Sequence, residues 1–152
     1  MRDSTKIVIV GLGLVGRRHA DAIEQVAGAQ LVGVVDTSES ARACAQEYGV
    51  ACVNDLATAF ETWTPDGIIL STPTPLHVEQ GKLCVEHGCA VLIEKPLATS
   101  ATEAVDLVAG AAKRDVPILV GHHRRYNPLI QKARALIDEG EVGEIRSVHA
   151  QC

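Results

Sequence analysis

Three groups of residues in this 152-residue chain have the types and spacing that chemistry needs. Gly11, Gly13 and Gly16 follow the apolar run Ile7-Val8-Ile9-Val10, and Asp36 ends a second apolar run twenty residues after the last glycine. Such a G-x-G-x-x-G turn, here filled by Leu12, Leu14 and Val15, allows a tight exit from a strand. It also lets the backbone approach a pyrophosphate and the next helix pack closely. Phosphates then face free N–H groups and the positive end of a helix dipole, while the Asp36 carboxylate can accept hydrogen bonds from a ribose diol. The second group is Glu94-Lys95-Pro96. An ammonium is a compact donor that can bind a substrate hydroxyl and help shuttle its proton as hydride leaves, and Glu94 could take the adjoining ribose. The third is the run Gly121-His-His-Arg-Arg-Tyr-Asn-Pro128, whose His122, His123, Arg124 and Arg125 suit an anionic or polyhydroxylated ligand.

Each group also has a plainer reading. A glycine-rich loop followed by an acid occurs in methyltransferases as well as dinucleotide-binding proteins. Glu94-Lys95-Pro96 in isolation reads more readily as a solvated charge pair before a proline, and Arg125 equally as part of a charged helix cap. Ser71-Thr72-Pro73-Thr74-Pro75 places two hydroxyls where ribose and phosphates should pass, but the two prolines also make a rigid, extended turn. His19, His87 and His149 read as structural or exposed. Asp36 is followed by Thr37 and Ser38 rather than an arginine, which favours NAD over NADP: two like charges about 4 Å apart repel by up to ~4 kcal/mol at an effective dielectric of 20. Arg42, one turn into the next helix, is the counter-indication.

The elements that must position these residues follow from apolar periodicity. Strand-like runs recur at 6–10, 30–36, 51–53, 67–71, 90–94 and 117–121, with helix-forming segments at 14–27, 38–48, 76–87 and 100–114 and a shorter helix at 55–61 closed by Thr64-Pro65-Asp66-Gly67. Ser38 is an expected N-cap, and Ser100 with Glu103 forms a capping-box pattern. Right-handed crossovers then give a doubly wound, mainly parallel α/β sheet of the Rossmann type, with ligands beyond the carboxyl ends of the strands. Residues 1–121 form this core. Residues 122–143 read as a connecting loop and a helix opened by Asn127-Pro128, and 144–152 as a strand with alternating Ile145, Ser147 and His149.

Composition agrees with small-molecule chemistry. A net charge of -5 without a basic run argues against nucleic acid or an anionic membrane, and no apolar run is long enough to span a bilayer. Aromatics make up only 3% of the chain, so aliphatic residues must fill the interior. Five cysteines, with no C-x-x-C pair and no metal-finger spacing, fit a reduced, cytoplasmic setting without a metal. The Met1-Arg2 start and the small residues Ala20-Asp21-Ala22 imitate a signal peptide, but three glycines and Arg17-Arg18-His19 interrupt it.

In order along the chain, Gly11-Leu-Gly-Leu-Val-Gly16, Asp36, Ser71-Thr72-Pro73 with His77, Glu94-Lys95-Pro96 and Gly121–Pro128 resemble the N-terminal half of the Gfo/Idh/MocA family, which includes glucose-fructose oxidoreductase and inositol dehydrogenase. The resemblance covers almost the whole chain and displaces the methyltransferase reading. It implies an NAD-binding domain of a dehydrogenase that transfers hydride at a CH–OH carbon of a sugar, polyol or related hydroxy compound. It makes Lys95 the catalytic lysine. The cofactor set it implies is Gly11, Gly13, Leu14, Val15, Gly16, Asp36, Ser71, Thr72, Pro73, His77, Glu94 and Lys95, with His123 and Arg124 near the nicotinamide or substrate and a cis bond before Pro96. It also implies a second domain that supplies an Asp and a His beside the lysine. No residue here matches that pair, so little turnover is expected from this chain alone. A nucleotide sensor that self-associates through an orphan strand at 144–152 is the alternative, since an edge strand is a template for pairing.

Overall fold

The computed structural model describes residues 4–149. Six strands form one sheet: β1 (Thr5–Val10), β2 (Ala29–Val35), β3 (Ala51–Val53), β4 (Gly67–Leu70), β5 (Ala90–Ile93) and β6 (Ile118–Val120). All neighbours pair in parallel, in the order β3-β2-β1-β4-β5-β6. The chain winds outward from β1 in one direction and, after crossing back to β4, outward in the other. The order reverses between β1 and β4, where open α/β sheets bind their ligands. This is the doubly wound Rossmann sheet that the apolar runs predict.

Helices α1 (Leu14–Glu24), α2 (Glu39–Glu47), α3 (Leu56–Trp63), α4 (His77–Glu86) and α5 (Ala101–Lys113) join the strands. Because side chains alternate across a strand, β1 serves two cores. Val8 and Val10 join Leu56, Phe60, Ile68, Leu70, Val91, Ile93 and Leu107 on the α3, α4 and α5 face. Ile9 joins Leu12, Ala20, Ile23, Val34, Ala41 and Cys44 on the α1 and α2 face. Phe60 is the one aromatic among the buried apolar residues described, so the interior is aliphatic as the composition demands. Its ring stacks on His87 at 4.0 Å, which makes that histidine a packing residue.

Both predicted caps form: Ser38 accepts from the Ala41 N–H at 3.2 Å and Ser100 from the Glu103 N–H at 3.3 Å. Asp55 caps α3 in the same way, accepting from Thr58 at 2.8 Å. Helix α1 is shorter than the segment 14–27. Gln25 and Val26 donate to carbonyls three residues back, Gly28 turns to φ +86°, and its carbonyl accepts from Thr5 at the start of β1.

The chain divides into two compact units, with the boundary between Gly121 and His122. Among the described residues, the second unit holds a 3-10 turn, His123–Tyr126, and α6 (Pro128–Asp138), capped by Asn127, whose side chain accepts from the Leu129 N–H at 2.9 Å. The strand predicted at 144–152 does not form within residues 144–149, which are irregular and exposed, and 150–152 lie outside the described residues. Alternation of Ile145, Ser147 and His149 is a strand pattern, but a strand needs a hydrogen-bonded neighbour, and none pairs with this segment among the described residues.

Candidate functional site

In the first unit, the residue after each of five strands keeps one backbone hydrogen bond to the neighbouring strand. Asp36 donates to Val53, Gly11 to Val35, Ser71 to Val10, Glu94 to Leu70 and Gly121 to Ile93, at 2.8–3.0 Å. The sheet order sets these five residues in one row along its carboxyl edge, as Asp36, Gly11, Ser71, Glu94 and Gly121. All five come from the motifs singled out in the sequence.

Gly11 has φ +87°, which a side chain would strain. Gly16, in the first turn of α1, faces it so closely that a Cβ there would sit 2.1 Å from the Gly11 carbonyl oxygen. Gly13 is the N-cap of α1 and contributes no capping side chain, and the first turn has no acid. By contrast α2, α3, α5 and α6 all have side-chain caps. Open space surrounds the Gly13 Cβ position, and Leu14 is exposed. The initial N–H groups of α1 are thus presented without an internal anion, as phosphate binding at a helix N-terminus requires.

Asp36 is held by the loops around it. Its Oδ2 accepts from the Leu12 N–H at 2.9 Å, and its Oδ1 from the Ser38 N–H and hydroxyl at 2.8 Å each. Partial burial pushes its pKa up, but these donors, with the Thr37 N–H, outweigh burial and hold the carboxyl below the usual range. Ser38 fills Oδ1 with two donors, and Oδ2, with one, keeps a further lone pair for a hydroxyl donor. The Arg42 guanidinium is turned to the end of β3, donating to the Cys52 carbonyl at 3.4 Å and to Asn54 Oδ1.

Ser71 differs from its expected role. Its hydroxyl donates to the loop carbonyls, with Gly11 O at 2.6 Å and Val10 O at 3.1 Å, so it staples the glycine turn. Thr72 donates to Gln80 Oε1 at 2.6 Å. Pro73 precedes the 3-10 turn Thr74–Leu76. His77 is only 1% exposed, which removes it from the cofactor contacts that the sequence reading gave it. Its Nδ1 lies 2.9 Å from the Pro96 carbonyl and its Nε2 2.8 Å from the Thr72 carbonyl, so one imidazole braces the loops after β4 and β5.

The Lys95–Pro96 bond is cis. Lys95 is exposed, and among the described residues its ammonium has no hydrogen-bond or ion-pair partner. Glu94 is held on both oxygens: Oε1 meets His19 Nε2 at 2.9 Å, and Oε2 accepts from the Lys95 N–H at 3.1 Å. His19, read as structural or exposed, is thus a site residue that the sequence reading missed. Its i+3 spacing from Gly16 on α1 is the signal that could have found it, since residues three apart share a helix face. His123 and Arg124 lie in the 3-10 turn of the second unit, both exposed.

Also in the first unit, a cleft of about 590 Å³ opens beyond the ends of β2 and β3, lined by Val35, Asn54, Leu56, Leu76, Gln80 and Leu83 among others. Its size and mixed lining suit a heteroaromatic ligand. None of its lining residues was a candidate site residue in the sequence.

Residues 5–122 match GFO_IDH_MocA, described as "Oxidoreductase family, NAD-binding Rossmann fold". The chain is 36% identical over 148 residues to an inositol 2-dehydrogenase of Rhodococcus erythropolis, covering 95% of this chain and 43% of that protein. It is 32% identical over 139 residues to a 4-carboxy-2-hydroxymuconate-6-semialdehyde dehydrogenase of Sphingobium sp., covering 90% and 44%. Among solved structures, the WlbA dehydrogenase of Bordetella pertussis, in complex with NADH and UDP-GlcNAcA, superposes with a TM-score of 0.89 at 27% identity, over 95% of this chain and 42% of that one. The chain spans less than half the length of the curated relatives it matches. With the row of edge residues and an α1 N-terminus lacking a side-chain cap, this match shows that the chain belongs to the Gfo/Idh/MocA oxidoreductase family and carries its NAD-binding Rossmann fold.

Proposed function

We propose that this chain is the NAD(H)-binding part of a dehydrogenase acting on a polyol, sugar or related hydroxy compound. The observation that carries this reading is the single row of Asp36, Gly11, Ser71 and Glu94 on adjoining strand ends, with Lys95 next to it. The α1 N-terminus takes the pyrophosphate, Asp36 the adenosine ribose, the cleft at Leu76 and Gln80 the adenine, and Glu94 the nicotinamide ribose. NAD, when bound, supplies the hydride acceptor. Lys95 holds the substrate hydroxyl and its proton, and His123 and Arg124 act beside substrate or nicotinamide. Asp36 disfavours a 2'-phosphate by like charge, and Arg42 is engaged at Cys52 and Asn54. Inositol 2-dehydrogenases among the relatives support a polyhydroxylated substrate. The same reading places the protein in the cytoplasm, where Cys44, Cys52, Cys84 and Cys89 stay reduced; all four are free thiols. On its own the chain is expected to bind the dinucleotide and turn over slowly.

Isothermal titration of the folded chain tests this reading. NADH should bind, and NADPH should bind at least about tenfold more weakly, a difference of about 1.4 kcal/mol. A folded sample that binds neither would overturn the reading; equal affinities would overturn the NAD preference.

A further inference from the structure

We infer that His19 is a positioning residue: it fixes the Glu94 carboxylate, and so couples the anion-binding helix α1 to the loop that carries Lys95. The inference rests on the dinucleotide reading above and adds a residue to it. His19 and Glu94 are 75 residues apart in sequence, yet their side chains meet at 2.9 Å. An ionised carboxylate can only accept, so its partner Nε2 must carry the proton. The second carboxylate oxygen accepts from the Lys95 backbone N–H.

A third feature clears space for this arrangement. A Cβ on Gly121 would lie 2.6 Å from Glu94 Oε1 and 2.9 Å from Oε2, so the residue after β6 must be a glycine for the carboxylate to rest where it does. Three separate segments therefore agree on one carboxylate position. The side chains of His19 and Glu94 are 23% and 15% exposed. Such a pair is less screened than a surface ion pair, yet open enough to meet a ligand. With one donor on each oxygen, each keeps a free lone pair, and two acceptor sites side by side match the two hydroxyls of a vicinal diol such as a ribose offers. His19 stands six residues past the N-cap, about 9 Å along a helix rising ~1.5 Å per residue. One rigid helix thus serves the phosphates with its N-terminus and Glu94 with its second turn.

The test is a double-mutant cycle on the chain, read by NADH titration beside ADP as a probe that lacks the nicotinamide half. His19→Ala and Glu94→Gln should each weaken NADH by about tenfold, the worth of one charge-assisted hydrogen bond, and should leave ADP affinity within about twofold. The double variant should be no weaker than the weaker single one. His19→Gln, which keeps an N–H donor at similar reach, should restore NADH affinity to within about threefold, and the shorter His19→Asn should not. NADH affinity unchanged in His19→Ala, single effects that multiply to about a hundredfold, or a parallel loss of ADP would each overturn the assignment. If His19→Ala does not fold, equal NADH affinities of the Gln and Asn variants would overturn it. Failure of the unmodified chain to bind NADH would instead overturn the dinucleotide reading, and this inference with it.

Discussion

The two ends of the carboxyl-edge row are built differently. At Asp36, Gly11 and Ser71 nearly every polar group is tied to the backbone of another strand or loop: Asp36 to Leu12, Ser71 to Gly11 and Val10, Gly11 to Val35. At Glu94 and Lys95 the carboxylate is tied to one side chain, His19, and to the backbone N–H of Lys95, and the ammonium has no partner among the described residues. The first end is a preformed mould whose shape is set by main chain, and it suits a constant ligand part such as a pyrophosphate. The second keeps one group oriented and one group unpaired among the described residues, which suits a proton that must move. Under the proposed function, binding and chemistry are separable along one edge.

The hardest blow to the mould is at Gly16. Gly16→Ala puts a methyl 2.1 Å from the Gly11 carbonyl, a contact that only backbone movement relieves. Overpacking of this kind costs about 1–3 kcal/mol of stability. The displaced turn should also lower NADH affinity by about a hundredfold, about 2.8 kcal/mol of lost phosphate and ribose contacts. Thermal unfolding and NADH titration check the two effects. A variant that binds normally would mean that the turn is not the phosphate site.

Asp36→Asn is the next largest. The amide cannot accept as strongly from Leu12 and Ser38, so NADH affinity should fall by about tenfold, and discrimination against NADPH should narrow because the repelling charge is gone. The acid response should change too. The folded-state pKa of Asp36 lies below its unfolded value, so its contribution to stability is present above about pH 4 and is lost as pH falls through the lowered folded value. Denaturant titrations from pH 6 downward should therefore show a smaller acid-induced loss in Asp36→Asn than in the unmodified chain. Equal losses would show that the carboxylate is not held by the loop.

This division also explains what could be read from the sequence. Gly11, Gly13, Gly16 and Asp36 announce the mould because backbone turns leave local signatures, and all six strands and the caps Ser38 and Ser100 follow from local patterns for the same reason. The partners that close the site left no such mark. His19 with Glu94 and Ser71 with Gly11 bring together residues 75 and 60 positions apart, and their meeting depends on crossovers rather than on any local spacing. His77 lay in the right motif but with the wrong role, since burial between two carbonyls is a property of the packed loops. The pattern forms no strand at 144–149 for the converse reason: alternation is local, but pairing is not.

Lys95 gives the smallest expected effect on binding and the sharpest test of the separation. Its side chain is exposed and makes no bond that would be lost within the described residues, whereas its backbone N–H, which supports Glu94, survives substitution. Lys95→Ala should therefore leave NADH affinity within about twofold, less than about 0.4 kcal/mol, and leave the unfolding temperature unchanged. Its cost should fall on the proton step, where a positioned acid–base group contributes about 10²–10⁴-fold. A tenfold loss of NADH affinity in Lys95→Ala, seen by fluorescence titration, would place the ammonium on the cofactor instead. The two ends of the row would then be one binding surface, and the chemistry would have to come from other residues.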